Sequence, residues 1–145
     1  MNKPERSPRT RYRWWCELST RWDDNDVYGH VNNVRYHAFF DTAVNRHLID
    51  AGLLTPGQSD CIGLVVENRC SYLAPVSFPD RVQVGLRVLQ LGTSSVRYET
   101  ALFRNEDPLA CAVGEFVHVY VDRASQRPVP IPGPVREALE RLRER

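Results

Sequence analysis

Apolar positions follow two different periods along this chain, and the change between them divides it into a helical and a stranded part. Residues 12–22 are aromatic and β-prone and predict a first strand. The next stretch, DDNDVYGHVNN, is too rich in Asp, Asn and Gly for the interior of a strand or a helix. The pattern then turns helical: Val34, Ala38, Phe39, Ala43, Leu48 and Ile49 recur at helical spacing, and Phe40 and Val44 widen the stripe. Asn32 or Asn33 supplies an N-cap, and Gly52 suits the position just past the helix end. A helix apolar on so many sides predicts enclosure by other elements.

Beyond Pro56 and Gly57 the period falls to two. Residues 63–76, 80–92, 94–106 and 109–122 form four runs of strand length, separated by short turns rich in Gly, Pro, Asn and Asp. Short connections make antiparallel pairing the default. A proline-rich segment ending at Pro134 leads into a C-terminal helix with the stripe Val135, Leu139, Leu142. The expected class is therefore α+β: a curled, antiparallel five-stranded sheet wrapped around a long central helix, plus a C-terminal helix. A single open sheet leaves part of so apolar a helix uncovered, which predicts a homodimer or larger assembly.

Composition narrows the function more by exclusion than by suggestion. A chain of 145 residues makes one domain with a substantial core. Nineteen basic against eighteen acidic side chains argue against a nucleic-acid surface as the main theme. No apolar run approaches the roughly 18–20 residues a membrane-spanning helix needs, so no membrane insertion is expected. The basic N-terminus has no apolar segment behind it, and the expected location is cytoplasmic. Residues 1–11, with two prolines and several basic side chains, predict a disordered tail, leaving 12–145 as the domain. Cys16, Cys61, Cys70 and Cys111 show no metal-ligand or redox spacing, and Cys70 and Cys111 sit in apolar runs as small core residues would.

The residues with chemistry to offer lie between Arg21 and Tyr36. Asp23, Asp24 and Asp26 precede Gly29-His30 and the start of the central helix. Helix N-termini present unpaired amides and a partial positive charge, which suit a developing oxyanion. A carboxylate just upstream can attack a carbonyl or activate water beside it. The same residues can also serve only as turn and cap residues. The spacing of a calcium-binding loop is missing, so no metal is expected.

The GHVNNVRY run and the preceding Asp26 resemble the signature of the hotdog-fold thioesterases, specifically the 4-hydroxybenzoyl-CoA thioesterase/acyl-CoA thioesterase family. The resemblance extends over about residues 12–140, through Leu73-Ala74-Pro75, Asp80, Leu91 to Ser95, Ala112, Val121-Asp122 and Pro128 to Pro132. It implies a hotdog domain that hydrolyses acyl-CoA to free acid and CoA, with CoA belonging to the substrate and no separate cofactor. Asp26 matches the catalytic carboxylate, as nucleophile or general base, and Asn33 the position whose amide polarises the thioester carbonyl. His30 is implied in substrate binding or in orienting Asp26. Gly29 lets the chain pass close to substrate, and Tyr36 lines the acyl pocket or packs in the core.

A second branch of the fold carries its carboxylate on the central helix, where Asp41 stands as a rival to Asp26. Asn68 shares a strand face with Leu64, Val66, Cys70 and Tyr72, and is either bonded in the core or directed at the pocket. Thr93, Ser94 and Ser95 resemble the hairpin that flanks pantetheine or nucleotide. Arg69, Arg87 and Arg97 either meet CoA phosphates or form solvated strand faces. The alternative on the same fold is a non-catalytic module that binds acyl-CoA as a sensor or structural partner.

Overall fold

Among the described residues the fold has five strands and two α-helices, and the strands before and after the central helix stand at opposite edges of the sheet. The computed structural model describes residues 5–143. Strand β1 (Trp14–Ser19) is followed by the central helix α1 (Asn33–Asp50), then β2 (Cys61–Tyr72), β3 (Arg81–Leu91), β4 (Ser95–Arg104), β5 (Ala112–Asp122) and helix α2 (Gly133–Arg141). The sheet is antiparallel throughout, in the order β1-β3-β4-β5-β2, so β1 and β2 are its free edges.

Helix α1 begins where Asn32 caps it, the side-chain oxygen accepting the Val34 amide at 2.9 Å. It ends in a Schellman motif: Gly52, at φ +72°, donates to Ile49, and Leu53 donates to Leu48. The buried face is Tyr36, Phe40, Ala43, Val44, His47 and Leu48, recurring at three and four residues. The opposite face carries Asp41, Thr42 and Arg46, and leaves Val34, Ala38 and Ile49 exposed. The helix is thus amphipathic and lies on one face of a sheet that is not strongly curled; the enclosure expected from its apolar count is not present within one chain. The polar residues on its outer side require solvent, and those set the orientation.

On the helix-facing side the sheet contributes Val84, Leu86, Tyr98 and Phe116, all essentially inaccessible, and each is worth about 1.5–3 kcal/mol of burial. The other face carries a smaller cluster of Tyr12, Ala101, Phe103 and Ala110. There the chain departs from the disordered tail expected for 1–11. Ser7 is buried, Arg9–Arg11 form a 3-10 turn, and Arg6 donates to the Asp107 carboxylate at 2.7 Å and the Ala110 carbonyl at 2.9 Å. Arg6 and Arg9, two of the basic residues that suggested a solvated tail, bind the segment to the 105–110 turn; residues 1–4 of that expectation lie outside the described residues.

Strand β2 has a bulge between Val65 and Glu67, and this inverts the alternation. Asn68, Cys70 and Tyr72 pair with Phe116, Gly114 and Ala112 on the helix side, whereas Leu64 pairs with Val119 on the other. The single face expected for Leu64, Val66, Asn68, Cys70 and Tyr72 therefore holds only for the last three. Helix α2 packs Val135, Ala138 and Leu139 onto the core, and the Leu142 carbonyl accepts the Val88 amide at 2.8 Å. Among the described residues no helix is long and apolar enough to cross a membrane.

Candidate active site

Between β1 and α1 the chain makes a loop tied at its base and along its length by main-chain bonds. The Asp24 carbonyl accepts the Asn32 amide at 2.9 Å, and the His30 carbonyl accepts the Asp26 amide at 2.9 Å. Gly29 turns the loop at φ +81°, a region that other L-residues rarely adopt. An added Cβ there would meet no atom of the chain within 4 Å, so within one chain it is the backbone angle that calls for glycine. The loop is fastened to the segment after β2: Val31 donates to the Val76 carbonyl, Ser77 to the Gly29 carbonyl, and Phe78 to the Asn25 side chain.

This arrangement opens a cavity of about 410 Å³ lined by Asp26, His30, Val31, Asn33, Tyr36 and the 72–75 segment. Asp26 is half-buried; its Oδ1 accepts the Tyr28 amide at 2.9 Å in an Asx turn, and Oδ2 accepts no hydrogen bond from the described residues. At the start of α1 the amides of Asn32, Val34 and Arg35 are all engaged, by the Asp24 carbonyl, the Asn32 side chain and the Asn32 carbonyl. Asn33 is the first helical residue, and its amide has no acceptor among the described residues. The cavity therefore holds an unengaged carboxylate oxygen and an unengaged amide at a helix N-terminus, where negative charge is favoured.

Two tyrosines form the other wall. Tyr36 is buried and meets Tyr72 edge to face at 5.0 Å, and the Tyr72 hydroxyl donates to the Asn33 carbonyl at 3.3 Å. Burial raises the Tyr36 phenol well above its ordinary value and the Tyr72 phenol to about 12, so both stay protonated at neutral pH. A second groove on the far side of the loop, lined in part by Trp22, Val27, Tyr28 and Gly29, shares Asp26 with the cavity.

The residues singled out by sequence divide into two groups. Asp26, His30, Asn33 and Tyr36 line one cavity, and Gly29 shapes the loop beside it. The His30 ring makes no hydrogen bond with the described residues; it is the His30 main chain that holds Asp26. Asn68 Oδ1 instead accepts from His37 Nδ1 at 2.8 Å, outside this cavity. Thr93, Ser94 and Ser95 lie at the β3–β4 turn, with the Thr93 carbonyl accepting the Ile131 amide and the Ser94 carbonyl the Tyr120 amide. Ser95 pairs with Val119 and Tyr72 with Ala112, so the hairpin and the cavity stand at opposite ends of β5, on the order of 20 Å apart in one chain.

Asp41, the rival carboxylate, is exposed on the outer side of α1 and accepts from Asn45. Arg69, Arg87 and Arg97 are ion-paired on the sheet face away from α1, with Glu115, Glu99 and Glu67 among their partners. All four cysteines are free, and burial pushes the Cys70 thiol up to about 11. No cluster of three or more His, Cys, Asp and Glu side chains suited to a metal occurs among the described residues.

Sequence reasoning missed two features. Tyr72 and the Leu73–Pro75 segment line the cavity because a distant strand end folds over the loop, which no local period reveals. Asp24, grouped with its acidic neighbours, is only 1% exposed, and its buried carboxylate is flanked by Arg21 and Arg35. The charge spacing of Asp24 and Arg35, one each side of the loop, was the available signal.

A family model described as the thioesterase-like superfamily matches residues 20–139. The PA5185 protein of Pseudomonas aeruginosa is 55% identical, with a TM-score of 0.94, covering 97% of this chain and 98% of its own. The 1,4-dihydroxy-2-naphthoyl-CoA hydrolase of a Synechococcus species is 28% identical over 136 residues, 87% of this chain and 90% of that protein. The L-carnitine dehydrogenase/betainyl-CoA thioesterase of Agrobacterium fabrum is 31% identical over 121 residues, 81% of this chain but only 24% of that longer protein.

Proposed function

This chain belongs to the thioesterase-like superfamily, and from that premise we propose that it hydrolyses an acyl-CoA thioester to the free acid and CoA, with Asp26 and the Asn33 amide as the reacting apparatus. The observation that carries the reading is the pairing of free groups in one cavity: Asp26 Oδ2 and the Asn33 N–H have no partner among the described residues, although Asp26 Oδ1 and the amides of Asn32, Val34 and Arg35 are engaged. Asp26 is half-buried, and Asn33 opens a helix whose first amides have no intrahelical acceptor, so a free acceptor and a free donor lining one cavity fit a reacting carbonyl between them.

In the proposed reaction the Asn33 amide donates to the thioester oxygen as negative charge develops there. Asp26 Oδ2 either adds to the carbonyl carbon, expelling CoA thiolate and leaving an anhydride that water opens, or removes a proton from water as its oxygen adds. In the second route the tetrahedral adduct expels CoA thiolate, which takes the proton back from Asp26. Both routes consume one water and require no metal or redox cofactor. Tyr36 and Tyr72 present an aromatic wall to the acyl group. The CoA thioesters named for the two relatives above make aromatic and small charged acyl groups the first to test.

The reading includes a second copy of the chain. Strand β2 is a twelve-residue free edge with Leu64, Val65 and Val66 exposed, the kind of edge that proteins pair or cover. Antiparallel pairing of β2 with its counterpart would lay the Cys61 end of one copy beside the Tyr72 end of the other. That would bring the 93–95 hairpin of the second copy toward the Asp26 cavity, which supports a role for Thr93, Ser94 and Ser95 in CoA binding.

Thiol release from a panel of aromatic, aliphatic and quaternary-ammonium acyl-CoAs, followed with a thiol reagent, tests the proposal directly. Turnover of at least one member, falling by about 10²–10⁴-fold in Asp26→Asn, is the expected result. Binding without release by the unaltered protein, or full turnover by Asp26→Asn, would overturn it in favour of the non-catalytic module or of another residue.

A further inference from the structure

We propose that Asp24 is a positioning residue of this site: its buried carboxylate, ion-paired to Arg35, fixes the Asp26 carboxylate against the Asn33 amide across the loop between them. The inference rests on the hydrolase reading above and adds to it a part that neither touches substrate nor reacts.

Asp24 joins two pieces of chain, the segment leaving β1 and the start of α1, through all three of its oxygens. Its Oδ2 accepts the Arg21 amide at 2.7 Å, at the end of the segment leaving β1. Its main-chain carbonyl accepts the Asn32 amide at 2.9 Å, at the cap of α1. Its Oδ1 faces the Arg21 and Arg35 guanidinium groups, each at 3.5 Å, with no hydrogen bond of its own. Capping the Arg21 turn needs only Oδ2, and an amide or hydroxyl would serve. The remaining oxygen, in a side chain 1% exposed, is held by charge. A carboxylate is costly to bury unless paired, so the negative charge has to be compensated where it stands.

Arg35 explains the rest. It is the third residue of α1, and a cation there opposes the helix dipole. Its place in that turn makes sense if the Asp24 charge outweighs the unfavourable end effect. The pair then spans the loop: Asp24 lies two residues before Asp26, and Arg35 two residues after Asn33. Loosening it would free the base of the loop while the Asp26–His30 bond kept the tip closed, so the two reacting groups would shift relative to each other without either being removed. Misplacement of this kind lowers the rate of the chemical step more than it lowers binding.

The test uses the full chain and the acyl-CoA that it turns over best, comparing Asp24→Asn, Arg35→Gln, Arg35→Lys and the Asp24→Asn/Arg35→Gln double variant. Activities are scaled to the folded fraction from circular dichroism. Expected are a 10- to 100-fold fall in kcat in Asp24→Asn with KM within threefold, recovery of most activity in Arg35→Lys, and no further loss in the double variant. Unchanged kcat in Asp24→Asn, or losses that multiply in the double variant, would overturn the pairing. Amide hydrogen exchange supplies a readout that needs no turnover: exchange over residues 25–33 should quicken at least tenfold in Asp24→Asn while the β3–β4 amides hold. If the unaltered protein releases no thiol from any acyl-CoA, the hydrolase reading falls, and exchange alone decides whether Asp24 fixes the loop: quickening upholds it and unchanged exchange overturns it.

Discussion

The amide of Asp26 donates to the carbonyl of His30 at 2.9 Å, so the turn bearing the candidate carboxylate is closed by main chain and not by the histidine ring. The ring itself lines the cavity without a hydrogen bond to the described residues. Its removal therefore leaves the Asp26 turn intact. His30→Ala should retain kcat within about tenfold of the unaltered protein, far above Asp26→Asn, because it takes away a pocket wall and not the holder of the base. Steady-state kinetics on both variants check the ordering; an equal collapse in His30→Ala would give the ring a direct part in proton transfer.

Gly29 is held at φ +81° with open space where a Cβ would stand. Gly29→Ala should therefore cost about 1–2 kcal/mol from backbone strain alone, and Gly29→Asn less, since Asn tolerates this region best among residues with side chains. Thermal unfolding of the two variants measures the difference. Equal destabilisation would point to contact made with the side chain elsewhere, for instance by a second copy.

Much of this arrangement was legible in the sequence, and the illegible parts share a cause. The order of elements, the Asn32 cap, the Gly52 terminus and the meeting of Asp26, His30, Asn33 and Tyr36 all depend on residues close in the chain, where spacing determines geometry. The β2 bulge between Val65 and Glu67 has no signature, because one extra residue leaves composition unchanged and only inverts the faces. The fixing of residues 6–11 depends on Asp107 and Ala110, about a hundred residues away, so a local reading finds only charge and proline. The outer side of α1 misled for a related reason. Val34, Ala38 and Ile49 count as apolar, but Asp41 and Arg46 beside them decide which face can leave water.

The exposed stretch Leu64 to Val66 on the free edge of β2 makes a separate prediction about assembly. Val66 is the bulge residue and is 60% exposed, so a charge there disturbs little inside one chain. Val66→Lys should leave the circular dichroism spectrum unchanged while shifting the protein toward monomer in light scattering at micromolar concentration, since an edge lysine blocks strand pairing. Thiol release should fall with the shift if the hairpin at 93–95 of a second copy completes the site. A variant that stays fully oligomeric would place the contact on another surface.

Acid stability follows from His118. Its ring lies between Phe116, Tyr98 and Tyr120 beneath α1, 2% exposed, and burial pushes its pKa down to about 4. The unfolded chain takes up a proton near 6.5, which the folded ring refuses until about 4, so between these values the unfolded state binds more protons. Stability is then fully present above about pH 6.5 and is lost as the pH falls toward 4; a depression of this size corresponds to roughly 3 kcal/mol. His47, lowered by burial and by Arg141, acts in the same direction. His118→Phe removes the larger contribution and keeps the ring stack. Its unfolding free energy, from urea titrations at pH 7 and pH 4.5, should drop by less than half as much as that of the unaltered protein. Equal drops in the two would mean that the imidazole is hydrated in solution and that the acid sensitivity belongs to the carboxylates.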